Sequence, residues 1–295
     1  MLSICIPVYN FDINKLVADL INQADNTGIA YEINLVDDGS DLIFKEINRK
    51  VTDHKNVNYE ELPKNIGRSS IRNYLADKAK YDNLLFIDCD AKVENKTFIA
   101  NYIHAIAENR VLIGGVAYEE MKPSNEYLFR WTYGHARETT SAIERSKNPY
   151  NSFKTFNFLI SKKLFQSIKF DEALKGYGHE DTLFGHQLQK LKIEILHIDN
   201  PLIHLGLESN EIFLVKTENG LRNLKMLYKE KRNDNNFVLG IKLLKFYKKL
   251  SPAGRILVSA LFLIVKPLLK WNLLGKNPNM KLFDFYKLGY LCSTK

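Results

Sequence analysis

The sequence predicts an α/β fold built on a doubly wound, mostly parallel sheet. Short apolar segments alternate with stretches whose apolar residues recur at helical spacing, in the order β-α-β-α-β-α-β. This alternation is typical of parallel strands joined by right-handed crossover helices. Three of the predicted strands end in polar, mostly acidic residues. The carboxyl ends of parallel strands meet at one edge of the sheet, where ligands bind, so these residues are expected to gather there.

The first half of the chain supplies four strands, each followed by a helix. The strands are predicted over residues 2–8, 31–36, 57–62 and 84–87. The first stops at Pro7-Val8-Tyr9-Asn10, because proline removes a backbone donor and asparagine favours a turn. The second ends in Asp37-Asp38-Gly39-Ser40, and a glycine-containing loop, residues 65–67, follows the third.

The fourth strand leads into the motif on which the functional interpretation centres, Asp88-Cys89-Asp90. Side chains alternate along a strand, so the two aspartates point the same way and Cys89 points the other way. Two neighbouring carboxylates repel each other, and a hard divalent cation between or beside them relieves that repulsion. The alternative is a strand that simply ends in a polar turn, where aspartate is common.

The chain continues with further strands over residues 111–117, 156–160 and 193–198. Residues 118–152, rich in Tyr, Arg, Glu and Ser, are expected to form a long, partly helical excursion. Ser161 is expected to cap one short helix, and Glu180-Asp181 to open another, where acidic residues complement the helix dipole.

Composition narrows the class of protein. The 295 residues carry a net charge of +8, which favours an anionic partner without choosing among nucleic acid, lipid and nucleotide phosphates. Cys5, Cys89 and Cys292 are scattered without metal-ligand spacing, as expected in a reducing compartment. The first residues resemble a strand rather than a signal peptide, so we expect a cytoplasmic N-terminus.

The C-terminal part changes character, and we place a domain boundary between residues 1–217 and a helical extension, 218–295. A basic amphipathic stretch near residues 241–250 precedes Ser251-Pro252, a helix start, and an apolar run, 256–265, that Lys266-Pro267 is expected to close. The run is shorter than the roughly 20 residues of a membrane span. Together with the basic stretch, this run favours a helix lying on an anionic membrane surface, with packing on the first domain or an oligomer contact as the alternative.

Taken together and in order, these motifs resemble a family-2 glycosyltransferase of the GT-A fold. The matching segments span about the first seven-tenths of the chain. They are Pro7-Val8-Tyr9-Asn10, Val36-Asp37-Asp38-Gly39-Ser40, Asn65-x-Gly67 with Arg72-Asn73, Asp88-Cys89-Asp90, Gly176-Tyr177-Gly178-His179-Glu180-Asp181, and His204.

The resemblance implies a role for each matched residue. The nucleotide-sugar donor would be held by Pro7, Tyr9, Asp38, Gly67, Arg72 and Asp88. Asp90 would bind Mn2+ or Mg2+, and His204 would be a further ligand, unless it is an ordinary surface or core histidine. Tyr177 and Glu180 would bind substrate, and Asp181 would be the general base.

The implied activity is that of an inverting, metal-dependent hexosyltransferase. It would move a sugar from a nucleotide sugar, by family habit a UDP-sugar, to a hydroxyl of a cell-surface glycan or lipid-linked acceptor. The alternative is a non-catalytic nucleotide-sugar-binding or membrane scaffold protein. We expect a cytoplasmic protein, peripheral on the inner face of the plasma membrane, with no nucleic-acid partner. The sequence leaves the sugar, acceptor, linkage and oligomeric state open.

Overall fold

The computed structural model describes residues 1–174, 176 and 178–294. The chain divides into two compact units. Unit 1 comprises Met1–Glu119, Thr139–Lys175 and Glu180–Gly206, and unit 2 comprises Glu120–Glu138, Gly176–His179 and Leu207–Lys295. The boundary predicted between residues 217 and 218 falls inside one continuous helix, Asn210–Lys231.

Unit 1 is organised around a seven-stranded sheet in the order β3-β2-β1-β4-β8-β6-β9. A smaller three-stranded sheet has the order β5-β10-β7. The strands are β1 (Leu2–Val8), β2 (Tyr31–Asp37), β3 (Val57–Glu61), β4 (Asn83–Ile87), β5 (Ala91–Lys92), β6 (Arg110–Ile113), β7 (Val116–Ala117), β8 (Asn157–Ser161), β9 (Glu194–His197) and β10 (Leu202–His204).

The predicted α/β class and mostly parallel sheet are confirmed. Strand β1 pairs in parallel with both β2 and β4, and β2 pairs in parallel with β3. Strand β8 runs antiparallel to its neighbours β4 and β6, so the sheet is mixed. The central strands are buried on both faces, which is why they read in the sequence as continuous apolar runs.

One predicted strand, residues 111–117, is divided in the structure. It becomes β6 in the large sheet and β7 in the small one, because Gly114 and Gly115 interrupt it. Gly115 has φ +97, a conformation that disfavours other residues, and a Cβ on Gly114 would overlap the Asn157 side chain.

Helices pack on both faces of the unit 1 sheet, and each face has its own apolar core. These helices are α1 (Asn14–Asp25), α2 (Leu42–Asn48), α3 (Arg68–Lys78), α4 (Phe98–Ala105), α6 (Ala142–Ser146), α7 (Lys162–Ile168) and α8 (Glu180–Lys190). Ser161 caps α7 by accepting from the Leu164 amide, as predicted. Helix α8 opens at Glu180, also as predicted.

Unit 2 is helical in the residues that the structure describes. It contains α5 (Leu128–Tyr133), a π-helical segment (Gly134–Glu138), α9 (Asn210–Lys231), α10 (Asn235–Gly240), α11 (Lys242–Lys249), α12 (Pro252–Leu273) and α13 (Met280–Ser293). Ser251 caps α12 and Pro252 occupies its first turn, as predicted.

The expected end of the apolar helix at Lys266-Pro267 is wrong. Helix α12 continues through Pro267 to Leu273 and has 22 residues. Proline removes one intrahelical hydrogen bond, but the turns after it are secured by Leu269 and Leu273, which are buried. Tertiary packing thus outweighs the local cost of the proline.

Candidate functional site

The carboxyl edge of the large sheet brings together two of the predicted acidic segments. Val8, at the end of β1, lies in register with Asp37 at the end of β2. The Asp38 amide donates to the Val8 carbonyl, 2.8 Å away. Strand β4, on the other side of β1, leads into Asp88. The topology therefore places Asp38 and Asp88 on either side of the end of β1.

Asp38 binds the loop that leads into α3. Its two carboxylate oxygens accept from the amides of Ile66, at 2.6 Å, and Gly67, at 3.2 Å. Asp38 is only 5% exposed, and burial raises its pKa, while the two amide hydrogen bonds oppose that rise. Gly67 precedes the first helical residue at φ +92, which glycine adopts without strain. Asp38 thus fixes where α3 begins.

Arg72, which is buried, forms an ion pair with the partly exposed Asp88. The Arg72 Nη2 donates to Asp88 Oδ1 over 2.5 Å, and Nη1 donates to the Arg68 carbonyl over 3.1 Å. Burial raises the pKa of Asp88, the Arg72 guanidinium opposes this rise, and the Asp90 charge adds to it. The Arg72 Nε is buried and has no hydrogen-bond partner among the described residues.

Asp90 and His204 meet at the small sheet. Strand β10 pairs antiparallel with β5, which sets His204 opposite Ala91. The His204 Nε2 lies 3.2 Å from Asp90 Oδ2, and the Leu205 amide donates to the Asp90 carbonyl over 2.8 Å. Burial alone would raise the pKa of Asp90, but the charge and hydrogen bond of His204, with a smaller contribution from Arg68, hold it below its ordinary value.

The residues around Asp90 fit a divalent cation that also binds substrate. Asp90 and His204 offer one oxygen and one nitrogen close together, and a Cβ on Gly206 would overlap Asp90 Oδ2, so only glycine leaves that space open. In the described part of the chain, no group of three or more His, Cys, Asp or Glu side chains is arranged to hold a metal. Two protein ligands suffice where substrate phosphates supply the others, as is usual for Mg2+, and an imidazole favours Mn2+.

Arg68 connects this cluster to the start of α8. Its Nη1 lies 3.6 Å from Glu180 Oε1. Its charge opposes the raised pKa of Asp88 and contributes to the lowered pKa of Asp90. Arg68 is half exposed, whereas Glu180 is buried. Glu180, at the start of α8, is therefore within reach of the same guanidinium that interacts with Asp88 and Asp90.

Asp181, the predicted base, is partly buried beside an exposed lysine. Its Oδ2 accepts from the Lys154 Nζ over 2.8 Å. Its Oδ1 accepts from the Thr182 amide over 2.7 Å, which fixes the carboxylate at the helix N-terminus. The Asp181 carboxylate is thus held by the Lys154 ammonium on one oxygen and by the Thr182 amide on the other.

The remaining predicted site residues are less constrained. Pro7 lies within β1, and Tyr9 follows the strand with 51% of its surface exposed, so its ring is open to a ligand. Tyr177 lies outside the described residues.

Three residues at the site were not predicted: Arg68, Lys154 and Gly206. Arg68 stands directly after the loop glycine at the N-terminus of α3, and helix N-termini bind anions, so this position was a readable signal. Lys154 and Gly206 carry no comparable signal, because their partners Asp181 and Asp90 are distant in sequence.

Comparison with known proteins agrees with the fold and the motifs. The profile of the family described as Glycosyl transferase family 2 matches residues 3–169. An "Uncharacterized glycosyltransferase" of Haemophilus influenzae is 25% identical over 203 residues, which are 67% of this chain and 75% of that protein.

Two solved structures share the fold. The mannosyltransferase PcManGT from Pyrobaculum calidifontis, in complex with GDP-Man and Mn2+, superimposes with a TM-score of 0.57 and 12% identity, over 96% of this chain and 85% of that one. A crystal structure of a fragment of S. aureus TarS superimposes with a TM-score of 0.50 and 17% identity, over 97% and 89%.

Proposed function

The chain belongs to glycosyl transferase family 2, and we propose that it transfers a sugar from a nucleoside diphosphate to an acceptor hydroxyl, with inversion at the anomeric carbon. A divalent cation would assist. The observation that carries this proposal is the set of charged groups linked at the carboxyl edge of the sheet, from Asp88 and Asp90 through Arg68 to Glu180. Such a set offers carboxylates for a cation and a guanidinium for a diphosphate, and it lies next to the predicted base.

The nucleoside would lie over the ends of β1 and β2. Tyr9 is exposed enough to stack on a base. Asp38 uses one lone pair on each oxygen for Ile66 and Gly67, so each oxygen retains acceptor capacity for an imide or ribose donor. We propose a uridine donor, since a uracil imide suits a carboxylate acceptor and the family resemblance favours it. The Pyrobaculum enzyme was solved with GDP-Man and Mn2+, which supports a nucleotide-sugar donor on this fold.

The diphosphate would lie beside Asp90 and His204, the two residues that would hold Mn2+ or Mg2+. The cation, when bound, supplies Lewis-acid stabilisation of the charge that develops on the departing phosphate oxygen. Arg68 adds a positive charge on the same side, and a planar guanidinium suits phosphate oxygens. The partnerless Nε of the buried Arg72 supports a donor-binding role for that residue as well.

Asp181 would act as the general base in a single displacement. The acceptor oxygen attacks the anomeric carbon, its proton passes to Asp181, and the bond from that carbon to the diphosphate breaks. Lys154 would hold the Asp181 carboxylate until the acceptor takes its place. Glu180, fixed by Arg68, would bind a sugar hydroxyl.

The acceptor proposed here is a hydroxyl of a cell-surface glycan or of a lipid-linked glycan. A position on the inner face of the plasma membrane would bring the enzyme to such an acceptor. The exposed apolar side chains of α12 support this position.

Replacing the base tests the reaction. Asp181→Asn keeps the shape of the side chain but removes its basicity, so we expect transfer to fall about a hundred- to ten-thousandfold. Binding of the nucleotide sugar, measured by calorimetry with Mn2+, should be retained. Asp82→Asn is the matched control, because Asp82 is exposed and precedes β4 at the opposite edge of the sheet.

Near-normal turnover by Asp181→Asn would remove Asp181 from the mechanism. If the unaltered protein binds the nucleotide sugar but releases no nucleoside diphosphate with any glycan or lipid-linked acceptor, the scaffold alternative would replace the enzyme proposal.

A further inference from the structure

Helix α12 exposes a continuous apolar face. Six large side chains on it are between 61% and 79% exposed: Ile256, Leu257, Leu263, Ile264, Leu268 and Trp271. At 3.6 residues per turn they fall within an arc of roughly 140°. The other residues of this arc between positions 256 and 271 are also uncharged. A soluble monomer rarely leaves such a large apolar patch in water.

The opposite face of α12 is buried against α13. Phe262 lies edge-on to Tyr286, with ring centroids 5.2 Å apart. A Cβ on Gly289 would come within 2.5 Å of the Phe262 ring, so the two helices pack closely only because this residue is glycine. Leu269 and Leu273 are buried on the same side. The helix therefore has one protein-covered face and one uncovered face.

Helix α11 supplies positive charge next to this face in the chain. Its exposed residues include Lys242, Lys245, Lys248, Lys249 and one apolar side chain, Phe246, which is 62% exposed. Lys242 and Lys249 lie one turn before and one turn after Phe246. An exposed aromatic residue among lysines is typical of a helix at the surface of an anionic bilayer.

We propose that α12 binds an anionic lipid bilayer by lying in its interface, with Ile256, Ile264 and Trp271 among the acyl chains and the lysines of α11 at the phosphate groups. The charge of α11 favours lipid over a second copy of this chain, because the copy would bring the same four lysines. The inference deepens the proposed position at the membrane but does not depend on the proposed sugar transfer, since lipid binding is measured without a donor.

A membrane-spanning arrangement is disfavoured by the middle of the helix. Among the described residues, α12 is the one helix long and apolar enough to cross a bilayer by length and composition. Near its centre, however, the Lys266 Nζ lies 3.5 Å from Glu218 of α9. A spanning helix would place this pair in the hydrocarbon, where charged groups are costly. An in-plane helix keeps them on the protein side.

Vesicle flotation tests the surface. The full-length protein is floated with vesicles of phosphatidylcholine alone and of phosphatidylcholine with phosphatidylglycerol in equal parts. We expect stronger flotation with the anionic vesicles, and weaker flotation as salt is added. The double variant Ile264→Glu, Leu268→Glu should lower partitioning roughly a hundredfold, since two large apolar side chains no longer enter the lipid.

The matched control is Leu42→Glu, Ile43→Glu on α2 in unit 1. These two side chains are each 63% exposed, and the substitutions change the charge by the same amount. This variant should float like the unaltered protein. Equal flotation of the α12 variant and the control would overturn the proposal, as would absence of flotation with either vesicle. A protein that ignores vesicles but changes from dimer to monomer on the α12 substitutions would assign the face to a second copy.

Tryptophan fluorescence tests the orientation. In the first variant, Trp131→Phe leaves Trp271 as the sole tryptophan. In the second, Trp131→Phe and Trp271→Phe are combined with Leu257→Trp, so the sole tryptophan lies about 21 Å along the helix from position 271. Lipids brominated at different depths quench according to depth. An in-plane helix predicts the same shallow depth at both positions. Clearly different depths would overturn the in-plane arrangement in favour of a span.

Discussion

The carboxyl edge of the sheet and the exposed face of α12 depart from the usual pattern of burial in opposite directions. At the sheet edge, charged side chains such as Arg72 and Asp38 are 2% and 5% exposed. On α12, apolar side chains such as Ile264 and Trp271 are largely exposed. Buried polar groups and exposed apolar patches are the informative exceptions in a folded protein.

The difference lies in how each exception is stabilised. At the sheet edge the chain supplies the partners itself: two amides for Asp38 and a carboxylate for Arg72. The face of α12 is left uncovered by the part of the chain that the structure describes. The first region is therefore prepared for a small charged ligand, and the second needs an extended apolar surface from outside the chain.

The largest effect on this comparison is expected from Arg72→Met. It leaves the Asp88 carboxylate beside Asp90 without its nearest cation. Breaking a buried ion pair costs about 3–5 kcal/mol of unfolding free energy, and because Asp88 is 23% exposed we expect a loss at the lower end of this range. Arg49→Met is the control, because Arg49 forms a similar pair with Glu61 on the surface. Urea unfolding of both variants should show a clearly smaller loss for Arg49→Met. Equal losses would mean that the ion pair at the sheet edge contributes no more to stability than the pair on the surface.

Gly289→Ala probes the packed side of α12. The new methyl group would press on Phe262, and overpacking of this kind costs about 1–3 kcal/mol. Gly254→Ala, near the start of the same helix, has its closest neighbour, the Ser251 hydroxyl, 3.3 Å from the new Cβ and should change the stability much less. Thermal unfolding distinguishes the two. A neutral Gly289→Ala would show that the α12–α13 contact does not require close approach.

Asp38→Asn tests the loop attachment at the sheet edge. The amide can accept through only one atom, so either the Ile66 or the Gly67 amide loses its partner, at a cost of about 1–3 kcal/mol. Asp41→Asn, three residues along and exposed, should change the unfolding free energy little. If both variants unfold alike, Asp38 does not anchor the loop.

The raised pKa of Asp38 also predicts a pH dependence. Because burial raises this pKa, the folded protein holds the proton more tightly than the unfolded chain. The corresponding stability is fully present below the ordinary carboxyl pKa near 4 and is lost as pH rises through the higher folded value. The unfolding free energy of the unaltered protein, relative to Asp38→Asn, should therefore rise on acidification toward about pH 4. A difference that is constant with pH would contradict the shift.

The sequence predicted most of the sheet because its strands are buried runs and its ligand edge follows from topology. It did not predict that β8 runs antiparallel or that Gly114 and Gly115 divide β6 from β7, because both depend on contacts between distant segments. It also ended α12 at Pro267, since local propensity cannot weigh the packing of Leu269 and Leu273. At the site, motif residues were readable, whereas Lys154 needed the fold to bring it to Asp181.

The smallest effect is expected from substitutions of the α11 lysines. These substitutions distinguish the electrostatic contribution to lipid binding from the contribution of apolar insertion. Lys245→Gln and Lys249→Gln should each weaken binding to anionic vesicles roughly fivefold, since one basic residue near such a surface contributes about 1 kcal/mol. Binding to phosphatidylcholine alone should not change. Lys96→Gln, an exposed lysine of unit 1, is the control and should leave both affinities unaltered. If Lys96→Gln weakens binding to anionic vesicles as much as the α11 variants do, the attraction reflects the net charge of +8 rather than the lysines of α11. The apolar face of α12 alone would then account for specific binding.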